Sequence, residues 1–159
     1  MKYLLQHLVS LLLPITVLII IPWSIDRHPV LASGLPLIVG LVIVAIGLFI
    51  IAQTIVTFIR IGNGTLAPWS PTRRLIVGGM YAYVRNPMIL GVITVLVGES
   101  LVLVSLPILI WAIFVFVINT VYFIFSEEPG LEKRFGDEYR EYKRNVPRWI
   151  PRLTPWRGA

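Results

Sequence analysis

Charge is nearly absent from three long stretches of this chain, and that limits its fold more than any other feature. Between Lys2 and Asp26 lie 23 uncharged positions, between Arg27 and Arg60 lie 32, and the 41 residues from Asn86 to Ser126 hold one charge, Glu99. A helix crosses the hydrocarbon core with about 20 mostly apolar residues. The first stretch therefore predicts a crossing at about Leu5 to Pro22. Pro29 and Pro36 push the second to about Leu35 through Ile59. Gly40 and Gly47 in that segment allow a close approach by a neighbouring helix. The third stretch is twice the length one crossing needs. The break at Ser105-Leu106-Pro107 turns it into a hairpin, with a third crossing from about Met88 to Val104 and a fourth from about Pro107 to Phe125.

Composition agrees, with 57% hydrophobic and 14% charged residues and a mean hydropathy of +0.83. That excludes an ordinary water-soluble globule, which carries about a quarter charged residues. The chain has 159 residues and no cysteine, so disulfides, thiolate metal sites and cysteine nucleophiles are excluded. His7 and His28 have no partner at ligand spacing, so no zinc site is expected. The expected fold is all-α: a polytopic membrane protein of about four transmembrane helices, with a helical hairpin and a cytoplasmic amphipathic C-terminal helix. The whole chain, residues 1–159, is read as one domain.

Thirteen of the fourteen Lys and Arg residues fall on one side of this four-crossing arrangement, and Arg27 alone falls opposite. The positive-inside rule then places both termini and the loop from Arg60 to Arg85 in the cytoplasm. The net charge of +6 sets this orientation and meets anionic lipid, with no need of a nucleic acid partner. Val30-Leu31-Ala32 resembles a signal-peptide cleavage site. The preceding apolar run is long for a signal sequence and is separated from that site by Asp26-Arg27-His28, which favours a retained helix.

Two cytoplasmic segments carry the chemical information. The loop from Arg60 to Arg85 is rich in Gly and Pro. Pro68, Pro71, Gly78 and Gly79 enforce turns, and Trp69, Tyr81 and Tyr83 supply aromatic surface at the membrane face. From composition alone it reads as an interfacial loop. After the last crossing, Leu131, Phe135, Tyr139 and Tyr142 recur at helical spacing, predicting a short amphipathic helix from about Pro129 to Arg144 with one aromatic face. Glu127 and Glu128 stand at its start. They either complement the helix dipole and orphan amides, or, facing Arg85 and Asn86-Pro87, hold a cationic or amine-bearing ligand. Glu99, the one carboxylate within a span, is read as either functional or paired with Asn119 or water.

The strings GMYAYVRNPMILG, Gly79 to Gly91, and EEPGLEKRFGDEYREYKRNVPRWIP, Glu127 to Pro151, resemble the isoprenylcysteine carboxyl methyltransferase and phospholipid methyltransferase superfamily. Its signature is G-x-Y-x-x-x-R-H-P-x-Y-x-G followed by E-E-x-x-L-x-x-x-F-G-x-E-Y-x-x-Y-x-x-x-V-x-R-x-x-P. The resemblance implies an integral membrane enzyme that binds S-adenosylmethionine on its cytoplasmic side and methylates a lipophilic acceptor, with cofactor motifs in 73–91 and 127–151. Carried over position by position, the cofactor-binding residues are Leu75, Ile76, Tyr81, Asn86, Pro87, Met88, Ile89 and Glu127. No catalytic base is assigned. Asn86 stands where the family has His, Ile89 where it has Tyr, and Phe123 where isoprenylcysteine enzymes carry an Arg for the substrate carboxylate. The last departure disfavours an anionic prenylcysteine substrate. An NADPH-dependent membrane reductase of the sterol-reductase type and a non-catalytic scaffold are the alternatives. The topology is tested by reporter fusions after Arg74 and after Gly158: both are expected to report the cytoplasm, and an external signal from either overturns the four-crossing arrangement.

Overall fold

The computed structural model describes residues 12–61 and 75–158. Among them every regular element is helical. Helix α1 covers Leu12–Ile25, α2 Leu35–Ile61, α3 Pro87–Val102 and α4 Leu106–Tyr122, with α5 Glu128–Phe135 and α6 Asp137–Asn145 after them. Two stretches, Leu35–Thr57 and Leu106–Phe135, are long and apolar enough to cross a membrane, and α1 and α3 are shorter apolar helices. Leu41, Leu48, Phe114 and Val117 are among many large apolar side chains left uncovered on α2 and α4. Such a surface suits lipid rather than water. The start of the first expected crossing, residues 5–11, lies outside the described residues, as do Trp69, Pro68 and Pro71 of the loop.

Helices α2 and α3 run antiparallel with their backbones in contact. A Cβ on Gly40 would sit 3.0 Å from the Gly98 carbonyl oxygen, and one on Gly47 would sit 2.8 Å from that of Gly91. The reverse contacts are as tight: Gly91 to the Gly47 oxygen at 3.0 Å and Gly98 to the Gly40 oxygen at 2.9 Å. Both helices thus place glycine at the same heptad spacing, and the two pairs lock into one seam. The sequence pointed to Gly40 and Gly47; their partners are Gly91 and Gly98.

Behind this seam, Val92 and Leu96 of α3 meet Ile108, Ala112 and Val115 of α4 in the buried core, with Val17, Leu18 and Ile51 against it. The hairpin bend falls where the sequence put it. Ser105 caps α4, its hydroxyl oxygen accepting from the Ile108 N–H at 3.3 Å. The Ala32 N–H donates to the Val102 carbonyl at 2.8 Å and pins the loop after α1 to the same bend.

Two π turns interrupt the helices, at Thr16–Ile20 and Phe123–Glu127. In each a proline follows two residues past the turn, Pro22 and Pro129. Proline lacks an N–H and its ring clashes with the carbonyl four residues back. Widening the turn relieves that clash. In the first turn the Ile21 N–H bonds to the Thr16 carbonyl, and the next carbonyl, that of Val17, has Pro22 as its i+5 residue. The indole Nε1 of Trp111 donates to it at 3.0 Å instead, tying α1 to α4.

Two sequence expectations are corrected. The helix expected over Pro129 to Arg144 is broken by Gly136 at φ +55 into α5 and α6. Its apolar face survives the break: Tyr139 and Tyr142 are buried, with Leu131 and Phe135 packed against them. Glu99 does not pair with Asn119. Asn119 donates to the Val115 carbonyl at 2.8 Å, and the two residues lie towards opposite ends of the hairpin.

Replacing Gly47 or Gly98 by Ala is expected to cost about 1–3 kcal/mol through overpacking at the seam. Gly130→Ala, where an added Cβ meets nothing within 4 Å, serves as the control and is expected to be neutral or stabilising. Thermal unfolding in detergent reads the difference.

Candidate functional site

The second π turn ends at Glu127 and directs two adjacent carboxylates to different neighbours. Glu128 is 4% exposed and accepts from Arg85 Nη1 at 2.8 Å, Arg148 Nε at 2.6 Å and Arg148 Nη2 at 3.0 Å. Lys143 Nζ stands 3.4 Å away. Three cations from three parts of the chain therefore converge on one acid. Glu127, half-buried, makes no hydrogen bond or ion pair among the described residues. It lies close enough to Tyr81 that its charge, after burial, helps push the Tyr81 phenol above the usual range.

The loop before α3 closes the other side. Gly79, at φ +59, opens a short 3₁₀ turn over Gly79–Ala82, and a Cβ there would collide with the Thr57 side chain of α2. Only glycine lets the turn sit against the helix. The chain then runs through Arg85 to Asn86, the residue before α3, whose carbonyl accepts from the Leu90 N–H at 3.0 Å. The Asn86 side chain makes no capping hydrogen bond, so its amide is left for other partners. Pro87 opens α3 as its first residue and is buried, with Met88 and Ile89 half-buried beside it. Ile76 is buried, while Leu75 packs with Val77 against the Tyr139, Tyr142 and Val146 cluster.

The C-terminal segment straps this loop in place. The Arg85 N–H donates to the Pro147 carbonyl at 2.9 Å, the Arg152 N–H to Tyr83 at 3.0 Å and the Trp156 N–H to Ala82 at 2.9 Å. Tyr142 adds its hydroxyl to the Tyr81 carbonyl at 2.8 Å. Burial, then the Glu128 charge, pushes the Tyr139 phenol up to about 12, so it stays neutral at physiological pH.

Asn86, Pro87, Met88 and Ile89 thus sit directly after the Arg85 that binds Glu128, and Tyr81 lies near Glu127. Leu75 turns towards the aromatic cluster. The sequence reading set Arg85 facing the two acids but missed Arg148 and Lys143, although Arg85 and Arg148 stand at the two arginine positions of the family signature. Phe123 is buried and meets the Trp149 ring edge-on, with centroids 5.8 Å apart.

Residues 35–138, well over half of the chain, match the family model described as phospholipid methyltransferase. The chain belongs to that family. It is also similar to a Haemophilus influenzae protein described only as uncharacterized, 55% identical over 38 residues, which are 24% of this chain. That match spans 59% of the relative's length. No solved structure matches the chain.

Glu128→Gln removes the one acid shared by three cations and is expected to cost about 3 kcal/mol, the scale of breaking a buried ion pair. Lys143→Ala, at the exposed edge of the cluster, is expected to cost well under half of that. Thermal denaturation of the purified variants in one detergent ranks them.

Proposed function

We propose that this protein is an S-adenosylmethionine-dependent methyltransferase acting at the cytoplasmic membrane face on a neutral or amine-bearing lipid. It works as a single domain over residues 1–159, with four crossings and both termini cytoplasmic. The observation that carries the cofactor assignment is the contrast between the two carboxylates. Glu128 is saturated by Arg85, Arg148 and Lys143, whereas Glu127 has no cation of its own among the described residues. A partly buried carboxylate without a partner is costly and suits a ligand that brings a positive charge.

The residues nearby fit that ligand. Glu127 would take its ammonium group, and the Asn86 amide both donates and accepts. Tyr81 offers an aromatic wall, while Leu75, Ile76, Pro87, Met88 and Ile89 form apolar walls, Leu75 backed by the aromatic cluster. Bound S-adenosylmethionine supplies an electrophilic methyl group on a sulfonium. The protein's own part is to orient, to exclude water and to keep the acceptor's nucleophilic atom unprotonated. An apolar mouth disfavours the ammonium form of an amine, so burial does in part what a dedicated base does elsewhere. With Phe123 packed against Trp149, no cation stands at that position for an acceptor carboxylate. An anionic headgroup would leave its charge unpaired there, which supports a neutral or amine-bearing acceptor.

Glu127→Gln is expected to weaken S-adenosylhomocysteine binding about ten- to a hundredfold, the loss of one charge-assisted hydrogen bond worth roughly 1.5–3 kcal/mol. Calorimetry on the folded variant measures it, and unchanged affinity overturns the assignment. NADPH is expected not to bind. With labelled S-adenosylmethionine and membranes, mass spectrometry is expected to find the label on an amine headgroup rather than on a carboxylate.

A further inference from the structure

The segment after α6 is built unlike the rest of the cytoplasmic part. Residues 146–158 hold Arg148, Arg152 and Arg157 and no acid, and among them Ile150 is 80% and Leu153 100% exposed. Two large aliphatic side chains held fully in water would be an unusual cost in so short a stretch. The Trp149 ring shows where the segment lies. Its centroid is 5.1 Å from that of Phe116 and 5.8 Å from that of Phe123, both on the apolar stretch Leu106–Phe135 that begins with α4. At 1.5 Å per residue, a ring between those two positions lies about 8 Å below the level of Phe125, the last apolar residue before Ser126-Glu127. That is the depth at which interfacial segments rest, about 5–10 Å into the headgroup and acyl boundary. Phe125, itself 77% exposed, extends the same apolar surface.

We propose that residues 147–157 form an interfacial wedge inserted in the cytoplasmic leaflet. Ile150 and Leu153 enter the acyl region, and Arg152 and Arg157 meet the phosphates of anionic lipid. The occupant is the bilayer, because the surface continues that of α4 and its only formal charges are positive. The acids of α5 and α6 (Glu128, Glu132, Asp137, Glu138 and Glu141) belong to preceding elements; Glu128 is held by Arg85, Lys143 and Arg148, and Glu132 and Asp137 are bonded to Arg140. The wedge also bears on the site. Arg148, which binds Glu128, and the strap bonds to residues 82–85 belong to this one segment, so lipid contact and the geometry around the two carboxylates are mechanically joined.

The inference rests on α4 crossing the bilayer, and the experiment separates the two. Because the chain lacks cysteine, nitroxide labels are placed singly at Ile150→Cys, Leu153→Cys, Glu141→Cys and Ile113→Cys in the full chain. The protein is reconstituted in phosphatidylcholine vesicles with and without phosphatidylglycerol. Labels at 150 and 153 are expected to be severalfold less accessible to a water-soluble nickel complex than the label at 141, and more so with phosphatidylglycerol. Accessibility at 150 and 153 equal to that at 141, with 113 still protected, overturns the wedge and leaves the crossing intact. Exposure at 113 overturns both. Protection at 153 that disappears on dilution of protein in the vesicles points to a second copy as the cover and also overturns the wedge.

Discussion

Backbone contact between α2 and α3 is the constraint on which the rest of the molecule depends. Apolar burial does little to draw helices together in lipid, so association relies on close packing. Four glycines provide it by removing the side chains that would otherwise hold the helices apart. With that distance set, Val92 and Leu96 on α3 can meet α4 through the small Ala112 and the branched Ile108 and Val115. The C-terminal end of α2 then comes within reach of the loop before α3, where Thr57 and Gly79 touch.

Proline acts on the helices in a less familiar way. Pro22 and Pro129 do not end their helices; each is accommodated by a widened turn just ahead of it. Near Pro22 the exposed carbonyl is satisfied by Trp111, which ties the first helix to the last span. Near Pro129 the widened turn separates the fates of two neighbouring acids, one locked among cations and one left without a partner. A straight α-helix through the same residues would present them differently.

The cation cluster explains how the small part of the chain outside the long apolar helices holds a fixed shape. Arg85 comes from the loop, Lys143 from α6 and Arg148 from the strap, and all reach Glu128. Such an arrangement stabilises little relative to an apolar core of the same volume, but it penalises every alternative docking of the strap, because each would leave a buried charge alone. The backbone bonds from Arg85, Arg152 and Trp156 then set the register.

The sequence by itself determined the helical class, the apolar stretches, the hairpin bend at Ser105 and the two motifs that meet at its mouth, because these follow from local periodicity, charge spacing and proline chemistry. It also marked Gly40 and Gly47, and the aromatic face of the tail. The break at Gly136 was missed because a positive φ is not written in an apolar repeat that continues across it. Only the tertiary structure decided which glycines face each other and which of two adjacent glutamates is neutralised. It also decided that Phe123 fills an aromatic contact, and that Trp149 returns to the side of the last span. Each of those depends on residues far apart in the chain being brought to within a few ångströms, a distance that local pattern does not encode.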